Sequence, residues 1–133
     1  MGRPVAGRDL SKAIPIISIV DDDKDVREAT ESLVCSVGYG ACTFASAYEF
    51  LTSEQLSNTS CLITDLNMPG LSGLDLQDRL IARGHRIPII FITGYPDDTV
   101  RARAMNAGAV AFLSKPYHHD HLLGYLDKAL KAS

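Results

Sequence analysis

The chain of 133 residues is short of the features that mark several protein classes. No apolar run approaches the roughly 20 residues that a membrane-crossing helix needs. The first dozen residues carry Arg3, Arg8 and Lys12 and have no apolar centre, so they do not read as a signal peptide. Positive charge is not in surplus. The formal net charge is −3, which gives this chain no electrostatic footing on nucleic acid. Cysteine is sparse: Cys35, Cys42 and Cys61 share no metal-type spacing. An odd number of cysteines without a secretion signal fits a reducing cytoplasm, with all three as small buried hydrophobes. No Gly-rich loop follows the first apolar run, which argues against a flavin or nucleotide module.

What is present suits one globular domain. The apolar fraction is 46% and the charged fraction 22%. There is no internal repeat, low-complexity segment or interdomain linker. Residues 1–13 read as a mobile tail and 14–133 as the domain.

Strand and helix patterns alternate along that domain. Ile14 to Val20 is an apolar, β-branched run that ends in Asp21-Asp22-Asp23. Val26, Ala29, Leu33 and Val37 then follow helical spacing until Gly38 and Gly40. Ala41 to Phe44 is a second strand. Ser46-Ala47-Tyr48-Glu49 is a capping-box signature for a second helix. Thr52 to Ser60 reads as a frayed helix end and loop. Cys61 to Thr64 is a third strand, and Asp65 stands where it leaves the core. After Met68-Pro69-Gly70, Ser72 caps a third helix that reaches about Arg83. The apolar residues of this helix, Leu74, Leu76, Leu80 and Ile81, do not form one stripe. Ile87 to Ile92 is a fourth strand. A helix from about Asp97 sets Val100, Ala104 and Ala107 on one side. Ala109 to Leu113 is a fifth strand, and Asp120 to Lys131 a last helix with Leu122, Leu126, Ala129 and Leu130 inward. Continuous apolar strands are buried on both faces, so the pattern predicts a doubly wound parallel α/β sheet.

In such a sheet the ligand site lies beyond the carboxyl ends of the strands. Those ends carry Asp21 and Asp22, Asp65, Thr93 and Lys115. Crowded carboxylates imply a divalent cation, and magnesium takes oxygen ligands from one or two carboxylates plus phosphate. A carboxylate can serve as a nucleophile and form an aspartyl phosphate. The transfer then needs alignment and neutralisation of the phosphoryl oxygens by metal, ammonium, hydroxyl and backbone N–H. His85, His118, His119 and His121 lack cysteine or carboxylate partners at ligand spacing, and the last three fit the exposed start of the final helix.

Four blocks in order carry a family likeness: Val20-Asp21-Asp22, Asp65 to Gly70, Ile92-Thr93-Gly94, and Phe112 with Lys115-Pro116. From about Ile14 to Leu130 the chain resembles the receiver domain of two-component response regulators. It is most similar to the receivers of the nitrogen-fixation and nitrate-response regulators. The resemblance implies a flavodoxin-like (βα)5 fold with strand order 2-1-3-4-5. It implies that Asp65 is the phosphoacceptor and that Mg2+, for which Mn2+ could substitute, is held by Asp22, Asp65, the backbone carbonyl of Asn67 and, through water, Asp21. Lys115 and Thr93 would bind the phosphoryl group, beside the small Gly94. Thr93 and Phe112 would be the switch pair, and Asn67 and Tyr95 would tune the lifetime of the phosphorylated state. The Lys115-Pro116 bond resembles the family's cis peptide.

The implied donor is a sensor histidine kinase or a phosphotransfer protein. The implied output is altered partner binding, with a possible phosphorylation-linked homodimer, through the face of the fourth helix, fifth strand and fifth helix, where Arg101, Arg103 and Met105 are candidates. No membrane and no direct nucleic acid contact is expected. The domain would be a cytoplasmic switch, stand-alone or the first part of a transcription regulator, and not a turnover enzyme. The competing reading is a magnesium-dependent phosphatase that forms an aspartyl phosphate. Such enzymes carry a second Asp two residues after the nucleophile, and Asn67 stands there instead.

Overall fold

In the computed structural model the described residues are 14–132. The tail expected over 1–13, and Ser133, lie outside them. The chain alternates β1 (Ile16–Val20), α1 (Lys24–Ser36), β2 (Gly40–Phe44), α2 (Ala47–Leu51), a short 3-10 helix (Glu54–Asn58), β3 (Cys61–Asp65), α3 (Gly73–Ala82), β4 (Ile89–Thr93), α4 (Asp98–Asn106), β5 (Ala111–Ser114) and α5 (His119–Ala132). All four strand pairings are parallel, and the order is β2-β1-β3-β4-β5. The expected doubly wound sheet is therefore present.

Side chains along each strand alternate between two cores. Val20, Leu62, Leu66 and Phe91 join Phe50, Leu74, Leu76, Leu80 and Ala104 on the face covered by α2, α3 and α4. Ile17, Ile19, Ile63, Ile90 and Ile92 join Val34, Leu122, Leu126 and Ala129 on the face covered by α1 and α5. Both strand faces are thus apolar, the condition for a parallel sheet between helix layers. Fully burying one such side chain stabilises the fold by about 1.5–3 kcal/mol.

Helix starts follow their caps. The Asp23 carboxylate accepts from the backbone N–H groups of Asp25 and Val26. Ser72 and Asp75 form a full capping box, and hydrogen bonds from the Ser72 backbone N–H and the Ser72 side chain hold the exposed Asp75 carboxyl below its ordinary value. At α2 the box is only half made. Ser46 accepts from Glu49 N–H, but the Glu49 carboxylate accepts from Ala45 N–H, one residue early.

Several expectations need correction. Strands β1, β4 and β5 begin two residues later than the apolar runs; before β1 and β4 stand Pro15 and Pro88, which lack an N–H. On α1, Ala29 and Val37 are exposed, and the buried positions are Thr30 and Val34. Thr30 can be buried because its hydroxyl donates to the Val26 carbonyl. On α3 the inner stripe is Leu76, Gln77 and Leu80, joined by Leu74, while Ile81 is exposed. The buried Gln77 amide donates to the Ala104 carbonyl of α4, which lets a polar residue sit in an apolar layer. Ala107 is exposed, beyond the last turn of α4. The region taken as a frayed end is ordered by Thr59, whose hydroxyl lies 2.7 Å from that of buried Ser18 on β1. Cys61 is buried, and burial pushes its thiol up to about 12. Cys35 is exposed and Cys42 half-buried, so only one cysteine is the expected buried hydrophobe.

Candidate functional site

The strand order reverses between β1 and β3, which are neighbours in space but not in sequence. A crevice opens there beyond the carboxyl ends. The register brings the strand ends level: Val20 opposite Thr64, Asp65 opposite Ile92, and Thr93 opposite Ser114. Asp21, Asp65, Thr93 and Lys115 therefore leave the sheet together.

Asp21 and Asp65 are buried, and Asp22 beside them is exposed. Each offers a carboxylate oxygen, and these oxygens all lie within 4.8 Å of one another. Lys115 places its ammonium 3.5 Å from the Asp21 carboxylate and 3.7 Å from that of Asp65. Its backbone N–H donates to the Thr93 carbonyl at 2.7 Å, and its bond to Pro116 is cis, as the resemblance implies. One ammonium thus reaches two carboxylates of a three-carboxylate cluster. Burial raises the Asp65 carboxyl above its ordinary value, against the pull of Lys115 and the N–H groups of Asn67 and Leu66. Burial likewise raises Asp21, and the charges of Asp65 and Asp22 add to the rise while the Asp23 N–H and Lys115 oppose it.

The loops bind the site to itself. Asn67 sits just past β3; its backbone N–H donates to the Asp65 carboxylate at 3.3 Å, and its side-chain amide donates to the Thr93 hydroxyl at 3.0 Å. The backbone N–H of Tyr95 donates to the same hydroxyl at 2.9 Å, while the Tyr95 ring is 79% exposed. Thr93 itself is wholly buried. Phe112 is half-buried, its ring centroid 6.3 Å from that of Phe91 in the core beneath. The turn after Asp65 needs Gly70, whose φ is +78°.

Two contributors escape a reading by sequence alone. Arg27 on α1 donates from its guanidinium to the Asp21 carbonyl at 2.8 Å, fixing the loop that presents Asp21 and Asp22. Gly73, first residue of α3, lies under Asp65. A Cβ there would stand 2.6 Å from the Asp65 carbonyl oxygen and 3.1 Å from the Phe91 ring. A glycine immediately after a Ser cap is a poor helix former, and that was the available signal of a close backbone approach.

Other expected residues lie apart. His118, His119 and His121 are exposed at the start of α5 and do not join the acidic cluster. Arg103 is tied to Asp78 of α3 at 2.7 Å, and Met105 lines a cleft of about 840 Å3 between α3, α4, the starts of β4 and β5, and Lys128 and Ala129 of α5, at the far end of the sheet. Arg103 is thus engaged with α3, and Arg101 is exposed. No helix among the described residues is long and apolar enough to cross a membrane.

The donor set suits a hard divalent cation. It is all oxygen, partly buried and under-neutralised, and its size is that of a magnesium or calcium site built from carboxylates. Softer metals prefer thiolate or imidazole, and neither is present in the cluster.

Comparison with known proteins agrees with this geometry. The family model described as the response regulator receiver domain matches residues 17–127. The response regulator protein TodT of Pseudomonas putida is 45% identical over 124 residues, covering 93% of this chain and 55% of that protein. The transcriptional regulatory protein FixJ of Bradyrhizobium diazoefficiens is 35% identical over 115 residues, covering 86% of this chain and 56% of that one. Among solved structures, the response regulator StyR superposes with a TM-score of 0.84 at 41% identity, over 90% of this chain and 61% of that chain. This chain spans about half the length of these curated relatives.

Proposed function

The chain belongs to the response regulator receiver domain family of two-component signalling, and from that premise we propose that it accepts a phosphoryl group from a histidine kinase on Asp65 and switches partner binding. The observation that carries this reading is the meeting of two buried carboxylates, Asp21 and Asp65, with one ammonium, Lys115, at the sheet's switch point.

Asp65 is the acceptor because it ends the central strand β3 with its carboxylate 3.7 Å from the Lys115 ammonium. Asp22 and Asp65, with the Asn67 backbone carbonyl and Asp21 through water, would hold Mg2+. The metal would supply charge neutralisation and alignment at the phosphoryl oxygens. The remaining work falls to the chain itself. Lys115 neutralises a phosphoryl oxygen, and the Thr93 hydroxyl donates to another. Arg27 and the Asp23 N–H hold Asp21 in place. Asn67 carries an amide where a phosphatase would need a carboxylic acid, and that amide is engaged with Thr93.

Phosphorylation adds charge in a site where Lys115 already lies between two carboxylates. The state in which Lys115 and Thr93 reach the phosphoryl group is then favoured, which is a population shift. Phe112, half-buried over Phe91, would follow Thr93 inward, and the surface of α4, β5 and α5 would carry the change to a partner or a second copy. We infer a cytoplasmic setting for the exchange, in keeping with the free, exposed thiol of Cys35. The relatives' extra length accords with an output domain beyond this receiver.

The test is labelling by acetyl phosphate with magnesium, comparing the wild type with Asp65→Asn. Magnesium-dependent label on the wild type and none on the variant supports the proposal. Equal label on both overturns it.

A further inference from the structure

Thr93 is buried, and its hydroxyl oxygen receives two hydrogen bonds, one from the Tyr95 N–H at 2.9 Å and one from the Asn67 side-chain amide at 3.0 Å. A hydroxyl oxygen has two lone pairs and one proton. Both lone pairs are therefore taken, and the proton is what Thr93 has left to give.

The two donors differ in kind. Tyr95 is two residues from Thr93 and belongs to the same loop, so its N–H can travel with the hydroxyl. Asn67 is 26 residues away, on the loop after β3. It is anchored there by its own backbone N–H on the Asp65 carboxylate. A displacement of Thr93 toward a group on Asp65 changes its distance to the Asn67 amide, which hangs from a backbone held on Asp65.

We infer that the Asn67 side chain is a latch: its amide holds the Thr93 hydroxyl in the resting position, and releasing it is part of the cost of switching. This rests on the reading of Asp65 as the phosphoacceptor and deepens it by naming what opposes the switch. Asn67 is a positioning residue, acting through Thr93. The bond is made only in the resting state, so it biases the equilibrium against the active one. A partly exposed neutral hydrogen bond contributes about 0.5–1.5 kcal/mol, which is about a two- to tenfold bias. The opposite role, in which the amide primes Thr93 to donate its proton, would give the opposite sign.

The experiment titrates the protein with beryllofluoride, an acyl phosphate mimic, at saturating magnesium, following the Thr93 and Phe112 amides by NMR. Magnesium affinity is measured separately for each variant, so that a change in metal binding is not read as a change in the switch. Asn67→Ala lowers the half-saturating beryllofluoride concentration about two- to tenfold. Asn67→Leu, which keeps the bulk and loses the donor, does the same; Asn67 is exposed, so neither variant empties the core. In a Thr93→Val background Asn67→Ala has no further effect, a non-additivity that a general loosening of the loop would not produce. Unchanged or weaker binding in Asn67→Ala overturns the latch, as does the same gain in the Thr93→Val background. Asp65→Asn is the separate control: if it binds beryllofluoride as the wild type does, the phosphoacceptor reading fails instead.

Discussion

Asp65→Asn should make the metal-free protein more stable at neutral pH. The carboxylate oxygens of Asp21, Asp22 and Asp65 lie within 4.8 Å of one another. At an effective dielectric of about 20, each like-charge pair at that distance costs about 3 kcal/mol. Lys115, 3.7 Å from Asp65, returns a similar amount. One repulsion is left over, together with the cost of burying the charge, and solvent around the exposed Asp22 reduces it. Asparagine keeps the shape and the acceptor for the Asn67 N–H but removes the charge. A net gain of about 2 kcal/mol follows, or about 6 °C in Tm for a domain of this size. The pH dependence has a definite sign. Burial raises Asp65 and Asp21 above their ordinary carboxyl values. The fold therefore favours their protonated forms, and that stabilisation is full below the ordinary carboxylate range and lost as pH rises through the raised folded values. Thermal melts with a chelator, from acidic to neutral pH, should show the two proteins converging in acid and separating as pH rises. A variant less stable than the wild type at neutral pH, or a gap indifferent to pH, would refute the reasoning.

Magnesium at millimolar concentration should raise the Tm of the wild type by several degrees and leave Asp65→Asn nearly unmoved, read by the same melts. Gly73→Ala should destabilise the fold by about 1–3 kcal/mol, because the new methyl must displace the Asp65 backbone or the Phe91 ring; denaturant unfolding measures this, and acetyl phosphate labelling should weaken in parallel. Leu122→Ala, which truncates a wholly buried residue of α5, should cost about 2–5 kcal/mol by the same unfolding assay.

The sheet was legible because its strands are buried on both faces and therefore read as unbroken apolar runs. The site was legible for a related reason. Residues that end such runs must leave a parallel sheet at one edge, so Asp21, Asp65, Thr93 and Lys115 could be placed together without coordinates. Helix faces were harder to read. Thr30 and Gln77 look like surface residues, and only a specific acceptor, the Val26 carbonyl for one and the Ala104 carbonyl for the other, permits their burial. Periodicity cannot see those acceptors. Contacts between loops were equally hidden. Arg27 on the Asp21 carbonyl and Asn67 on the Thr93 hydroxyl depend on loop paths that no spacing rule encodes. Arg103 shows the converse: likeness to the family marked it for a partner surface, and the fold gives it Asp78.

The most direct test of the central claim is to phosphorylate the wild type with acetyl phosphate and magnesium, reduce the acyl phosphate with borohydride, and map the product by peptide mass spectrometry. The account predicts reduction of the Asp65 side chain to that of homoserine and no other change. Modification of Asp21 or Asp22, or of no aspartate at all, would contradict it.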